Sequence, residues 1–214
     1  MSQSTLPDDS EETSLRGVSV AIVTDNEDPE GMGRVKVAYP WRKADDESYW
    51  ARIATPMAGP DRGTYFLPEV DDEVLVAFAD GNIRYPYVLG ALWNGQDSPP
   101  ETNSDGKNDI REIRSRSGHE LVFDDAETAG KIEIMTNGGH TIVLDDATGQ
   151  EKISIEDNSG QNKIEFNATQ GSLDITSGAT LSVQAPSVEI AGDGSLKLES
   201  NGVLTIKGAL VKIN

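Results

Sequence analysis

The chain has 214 residues, no cysteine, and a formal charge of −19 from 18 basic and 37 acidic side chains. Without thiols there is no disulfide, no thiolate nucleophile and no zinc site built on Cys ligands. A surface this acidic repels phosphate backbones and anionic membranes, and a hydrophobic content of 36% argues against one large private core.

Residues 1–16 are polar and acidic (Asp8, Asp9, Glu11, Glu12), with no apolar run of the signal-peptide kind. They are expected to form a disordered arm, on a chain made in the cytoplasm. Residues 17–95 read as antiparallel β. Val18, Val20 and Ile22 alternate with smaller or polar neighbours, the period of a strand. A dense turn cluster, Asp25 to Gly31, follows. Val35, Val37 and Tyr39 then share one face of a second strand, and Trp50–Ile53 reads as a short third. Glu73–Phe78 is a strong strand closed by the Asp80-Gly81-Asn82 turn signal, and Tyr87-Val88-Leu89 begins a last one beside Pro86. About five short strands joined by Gly-rich turns in this span fit a small closed barrel of the OB type.

Residues 96–109 carry Pro99-Pro100 and Gly106 among polar side chains and read as a linker. Here the composition breaks. Every Trp and Tyr lies between Tyr39 and Trp93, and nine of the ten prolines lie at or before Pro100. From Ile110 onward the chain repeats. Gly118-His119-Glu120-Leu121-Val122-Phe123-Asp124-Asp125 recurs 21 residues later as Gly139-His140-Thr141-Ile142-Val143-Leu144-Asp145-Asp146. A degraded third copy starts at Gly160, and each copy is trailed by a second apolar pair: Ile132/Ile134, Ile153/Ile155, Leu173/Ile175. Beyond Gly178 the step shortens, with pairs at Leu181/Val183, Val188/Ile190, Leu196/Leu198, Leu204/Ile206 and Val211/Ile213. A strand of three or four residues cannot bury its apolar face alone; it stacks on equivalents. Two inward side chains per step fill a one-chain coil poorly, so winding of several chains about a shared axis is favoured. The expected fold is all-β: an OB-fold barrel over 17–95 and an intertwined trimeric β-helix over 110–214.

A set of motifs in residues 26–100 carries a resemblance. Asn26-x-Asp28-Pro29, Gly33-Arg34-Val35-x-Val37, Tyr39-Pro40-Trp41 and Trp50-Ala51-Arg52 come first. Gly63-x-Tyr65-x-Leu67-Pro68-Glu69-Val70, Glu73-Val74-Leu75-Val76-x-Phe78 and Pro86-x-Val88-Leu89-Gly90-x-Leu92 follow, then Asn94-Gly95 and Pro99-Pro100. Together they resemble the OB-fold domain of the phage baseplate assembly protein V and VgrG family, the central spikes of contractile injection machines. The repetitive half is similar to that family's trimeric β-helix. One departure is visible: the family usually has Gly-Asp-Glu-Val where this chain has Asp71-Asp72-Glu73-Val74, which puts the local turn geometry in question. The resemblance implies a non-enzymatic homotrimer that joins a separate hub protein to a PAAR-type tip and punctures the target envelope, in a phage tail-like particle or injection baseplate.

Candidate chemistry is thin. His119 and His140 hold equivalent repeat positions but lack a second ligand at i+2, so they read as corner residues rather than metal ligands. Some spikes of the family hold iron through a His-x-His pair near the tip; this chain ends Val211-Lys212-Ile213-Asn214 and has none. Asp124-Asp125 and Asp145-Asp146 match neither the EF-hand nor the nonapeptide calcium spacing and read as solvated turns. Tyr39, Trp41, Tyr49 and Trp50 offer stacking surfaces of the kind OB barrels use on single strands or glycans, with packing as the competing reading. No catalytic, cofactor or metal residue is assigned, and no nucleic-acid partner is expected. A carbohydrate- or envelope-binding β module, or a β-helix glycan-active enzyme, are the alternatives.

Overall fold

A computed structural model describes residues 17–42 and 47–213; the arm expected over 1–16 lies outside them. The chain forms two compact units that divide between Thr102 and Asn103. Nearly all regular structure is β, as the alternation predicts, and among the described residues the exception is a 3₁₀ turn at Ala79–Gly81.

The first unit contains β1 (Val18–Asp25), β2 (Lys36–Ala38), β3 (Arg52–Ile53), the small hairpin β4 (Ala58–Gly59) and β5 (Arg62–Gly63), β6 (Glu73–Phe78) and β7 (Pro86–Ala91). Five of these strands form one sheet in the order β2-β1-β6-β7-β3, with β3 and β7 parallel. A bridge between Val35 and Ala51 joins the two ends, so the sheet closes into a barrel. Ala21, Val23, Val35, Val37, Tyr39, Ala51, Val74, Val76 and Val88 fill it. Small and β-branched side chains suit so narrow a barrel, and burying each valine is worth about 1.5–2 kcal/mol.

The inner face of β1 is opposite to the one that Val18 and Val20 suggest. Ala21 and Val23 point inward, while Val18 and Val20 lie exposed on the outer wall. Register decides this. Val23 pairs with Val37, whose side chain is committed to the core, and directly opposed residues share a face. Val35, Val37 and Tyr39 are buried together as their alternation predicts.

The loop from Asp25 to Gly33 is organised by one carboxylate. Asp28, with a side chain only 3% exposed, accepts bonds from Arg34 Nε at 2.8 Å and Nη2 at 2.7 Å. It also accepts the backbone N–H groups of Glu30, Met32 and Arg34. The Arg34 guanidinium first, then these amides, hold the Asp28 carboxyl far below its ordinary range.

Residues Glu69 to Asp72 form the turn into β6, and Asp72 N–H donates to Glu69 O at 3.2 Å. Asp71 sits at φ = 77°, the third position of a type II turn, where glycine is the natural occupant. The Asp71 departure therefore leaves the turn intact and places an L side chain in the left-handed region.

The second unit opens with β8 (Ile110–Arg114), β9 (Glu120–Asp124), β10 (Lys131–Met135), β11 (Thr141–Asp145), β12 (Lys152–Glu156), β13 (Lys163–Asn167) and β14 (Ser172–Thr176). They make one antiparallel meander in which each strand pairs only with its chain neighbours. The 21-residue repeat is two of these strands. Gly118, Gly139 and Gly160 turn equivalent corners at φ = 85°, 88° and 69°. After β14 the order stops: among the described residues, 177–213 form no strand. The apolar pairs there lack a strand partner among the described residues of their own chain.

Two predictions follow from these turns. Asp71→Gly relieves the left-handed strain and should raise barrel stability by up to about 1 kcal/mol in chemical unfolding, whereas Asp71→Ala should not. Asp157, which closes the β12–β13 turn, accepts from Asn162 Nδ2 at 2.6 Å and Ser159 Oγ at 2.8 Å, and these bonds lower its pKa to about 2. Its contribution to stability is full above the ordinary value of 3.8 and is lost as pH falls toward about 2. Amide exchange at Asn162 should accelerate across that window, and Asp157→Asn should remove the pH dependence.

Candidate trimerisation interface

Strand register sorts the meander's side chains into two faces. On one face, cross-strand partners run in two columns. The first is Arg111, Phe123, Ile132, Leu144, Ile153, Phe166, Leu173. The second is Ile113, Leu121, Ile134, Ile142, Ile155, Ile164, Ile175. All but Arg111 are apolar. At about 4.8 Å between strands, each column is about 29 Å long.

The opposite face is charged and covers itself. Lys131 Nζ reaches Glu133 at 2.8 Å, Lys163 reaches Glu165 at 2.6 Å, and Arg114 Nε reaches Glu112 at 2.7 Å. The Glu133 partner, with Asp124 and Asp145 across the strands, raises the Lys131 pKa. Lys163 does the same to Glu165 in the other direction and lowers it.

Exposure is thereby inverted. Lys131, Glu133, Ser154 and Glu165 are buried or half-buried, while twelve of the apolar column residues are 36–54% exposed. A sheet with one apolar face normally packs that face on something. Nothing in the described chain lies across the length of this one. In the tail after β14 the apolar residues, Leu181 to Ile213, are 47–89% exposed. Leu181 lines a shallow hollow together with Ile134, Ile142 and Ile155 of the second column.

The histidines are braces. Asn137 N–H donates to His119 Nδ1 at 3.2 Å, and Asn158 N–H donates to His140 Nδ1 at 3.3 Å. Each ties one corner to the next corner on its edge, 18 residues on, and each needs the tautomer with Nδ1 unprotonated. In the third repeat, where Gln161 replaces histidine, Asn162 Oδ1 takes over by accepting from Gly178 N–H at 3.2 Å. The aspartate pairs cap turns: Asp124 and Asp145 accept from Ala126 and Ala147 N–H. Among the described residues no group of His, Asp and Glu is arranged to hold a metal ion.

The barrel aromatics divide. Tyr39 is core, its hydroxyl donating to Ile83 O at 2.7 Å, and Trp50 lies under Lys36 at 5.1 Å. Trp41 is exposed, with Nε1 donating to Ser19 Oγ at 3.0 Å. Tyr49 is exposed and stacks on Tyr85 at 5.2 Å.

Comparison with known proteins fits both units. Residues 19–93 match the type VI secretion system/phage-baseplate injector OB domain. Residues 131–211 match the phage baseplate V C-terminal trimerisation domain. Among curated relatives, the type VI secretion system spike protein VgrG2a of Pseudomonas aeruginosa is 33% identical over 101 residues, 44% of this chain and 12% of its own length. The spike protein VgrG3 of Vibrio cholerae is 31% identical over 114 residues, 50% of this chain and 11% of its length. The actin cross-linking toxin VgrG1 of Vibrio cholerae is 30% identical over 110 residues, 48% of this chain and 10% of its length. The chain thus spans 10–12% of the length of these three relatives. The first unit thus carries an injector OB domain and the second a phage baseplate V C-terminal trimerisation domain.

Proposed function

We propose that the chain is the protomer of the central spike of a contractile injection machine, acting as a homotrimer. The observation that carries this reading is the uncovered double column of aliphatics in the rod. Each half-exposed aliphatic or aromatic side chain moved from water into a seam is worth about 1 kcal/mol, and three copies facing one axis cover all of them at once. The tail supports the same reading. Its pairs recur every seven or eight residues, and sister chains would supply the strand partners that its own chain does not.

The role is mechanical. The barrel would seat each protomer beneath a hub protein, and the rod would carry the force of contraction into the target envelope. A PAAR-type tip protein would cap the rod. Made in the cytoplasm, the protein would work as part of a baseplate. Among the described residues no helix is long and apolar enough to cross a membrane. The toxin named among the relatives is matched over 10% of its length, and the matched family domains are structural ones. This chain is therefore read as a non-enzymatic part.

Sedimentation should give a mass of three chains; a stable single chain would overturn the proposal. Ile155→Asp places a carboxylate in the second column. It should lower trimer affinity at least tenfold for each ~1.4 kcal/mol of burial it opposes, with the barrel transition unchanged. Ending the chain at Thr176 should keep the meander's β signal while lowering the trimer's resistance to heat, read by gel mobility after graded heating.

A further inference from the structure

The outer wall of the barrel carries an apolar face that the rod does not explain. Along β7, Pro86 and Val88 point inward, so Tyr87 and Leu89 point out, 42% and 44% exposed. Tyr87 pairs with Ala77 of β6, and Ala77 pairs with the exposed Val18 of β1. On the other side Tyr87 pairs with Arg52 of β3. Tyr85, two residues before Tyr87, stacks on Tyr49, and both are more than half exposed. Tyr49 N–H donates to Arg84 O at 3.0 Å, which sets Arg84 at the rim of the same face.

Arg34 is matched by Asp28 and Glu30, and Lys36 by Asp25 and Glu47. The guanidinium groups of Arg52 and Arg84 have no ion-pair partner among the described residues, on a chain of net charge −19. Exposed tyrosines flanked by unpaired arginines are the composition of a protein interface.

The same barrel also carries the complementary surface. Strand pairing puts Asp25 and Glu73 at one end of the sheet, and Tyr87 and Arg52 toward the other. At the first end Asp71 N–H donates to Val23 O, and Asn26 Nδ2 donates to Pro68 O at 3.0 Å. These bonds bring the 26–33 loop beside the 69–73 turn, with Glu27, Glu30, Glu69 and Asp71 all exposed. A three-fold ring requires two unlike surfaces on each copy, one for each neighbour.

We propose that the Tyr87/Arg52 face of one barrel docks on the acidic 26–33 and 69–73 end of the barrel in a second copy of this chain, closing a ring of three. This rests on the homotrimer proposed above. Tethering by residues 92–109 keeps three barrels within a linker's reach, so a contact too weak to hold free barrels together would suffice.

The test uses the full chain and tyrosine nitration read by peptide mass, with the 74%-exposed Tyr65 as internal reference. In the trimer, Tyr85 and Tyr87 should react about tenfold more slowly than Tyr65, as groups shielded most of the time do. Arg52→Glu with Arg84→Glu should abolish that protection while sedimentation still reports three chains held by the rod. Adding Glu27→Arg, Glu30→Arg and Glu69→Arg to this variant should restore it. Tyr85 and Tyr87 reacting as fast as Tyr65 in a wild-type trimer would overturn the proposal, as would protection that the reversed arginines leave unchanged. A wild-type chain that sediments alone defeats the trimer reading itself, which the mass reports separately.

Discussion

Everything in the second unit depends on one constraint: a seven-stranded meander whose apolar face has no cover among the described residues of its own chain. Antiparallel sheets tolerate water on one side because that side is usually the polar one. Here the charged face is the shielded one, its lysines and glutamates lying across each other, and the aliphatic columns are left open. Between the two edge strands, β8 and β14, the backbone of the meander is paired within one chain, so along this length strand pairing is not what association must supply. What remains unmet is the removal of two columns of side chains from water.

That division of labour changes after Thr176. In the meander each strand finds its partner within the next few residues, the cheapest contact a chain can form. The shorter tail steps give up this economy, and their hydrogen bonds are local side-chain ones such as Ser177 Oγ to Thr180 O. The corner between the two regimes is built by Asn162, which accepts from both Gly178 N–H and Ser177 Oγ. Gly178 has no room for a larger residue, since a Cβ there would lie 2.5 Å from Gln161 Oε1. The same corner in the earlier repeats uses a histidine Nδ1 for the amide, so a degraded repeat is also where the chain changes its mode of pairing.

Much of this was legible beforehand, and the rest was hidden for identifiable reasons. Period-two alternation located the strands of the meander, because its strands are five residues long and carry one apolar pair each. The 21-residue offset gave the glycine corners, since only glycine is comfortable at φ near 85°. The inner face of β1 was not legible: Val18 and Val20 outrank Ala21 in hydrophobicity, and register with the Val37 strand overrode that. Nor could periodicity show that the histidines brace the next corner, which needs the spacing of turns along an edge. The exposed Tyr85–Tyr87–Leu89 stripe was missed because alternation marks which residues share a face but does not say which face is inside.

The acidic character of the chain and its apolar seam act at different ranges, and this is how one sequence can be both soluble and self-associating. Unit charges on exposed surfaces at 4 Å interact by about 1 kcal/mol in water, and salt screens them beyond about 8 Å. Copies that collide out of register meet this repulsion with few apolar contacts to offset it. Copies that align their columns bury a dozen or more side chains each, at about 1 kcal/mol apiece, and the seam outweighs the repulsion. The cross-strand charges sharpen the selection. Arg114 pairs with Glu120 and Lys163 with Glu156 across neighbouring strands, so a slip of one strand loses ion pairs on one face as it misaligns the columns on the other. Net charge thus opposes indiscriminate aggregation of an open apolar sheet, and register confines its burial to one arrangement.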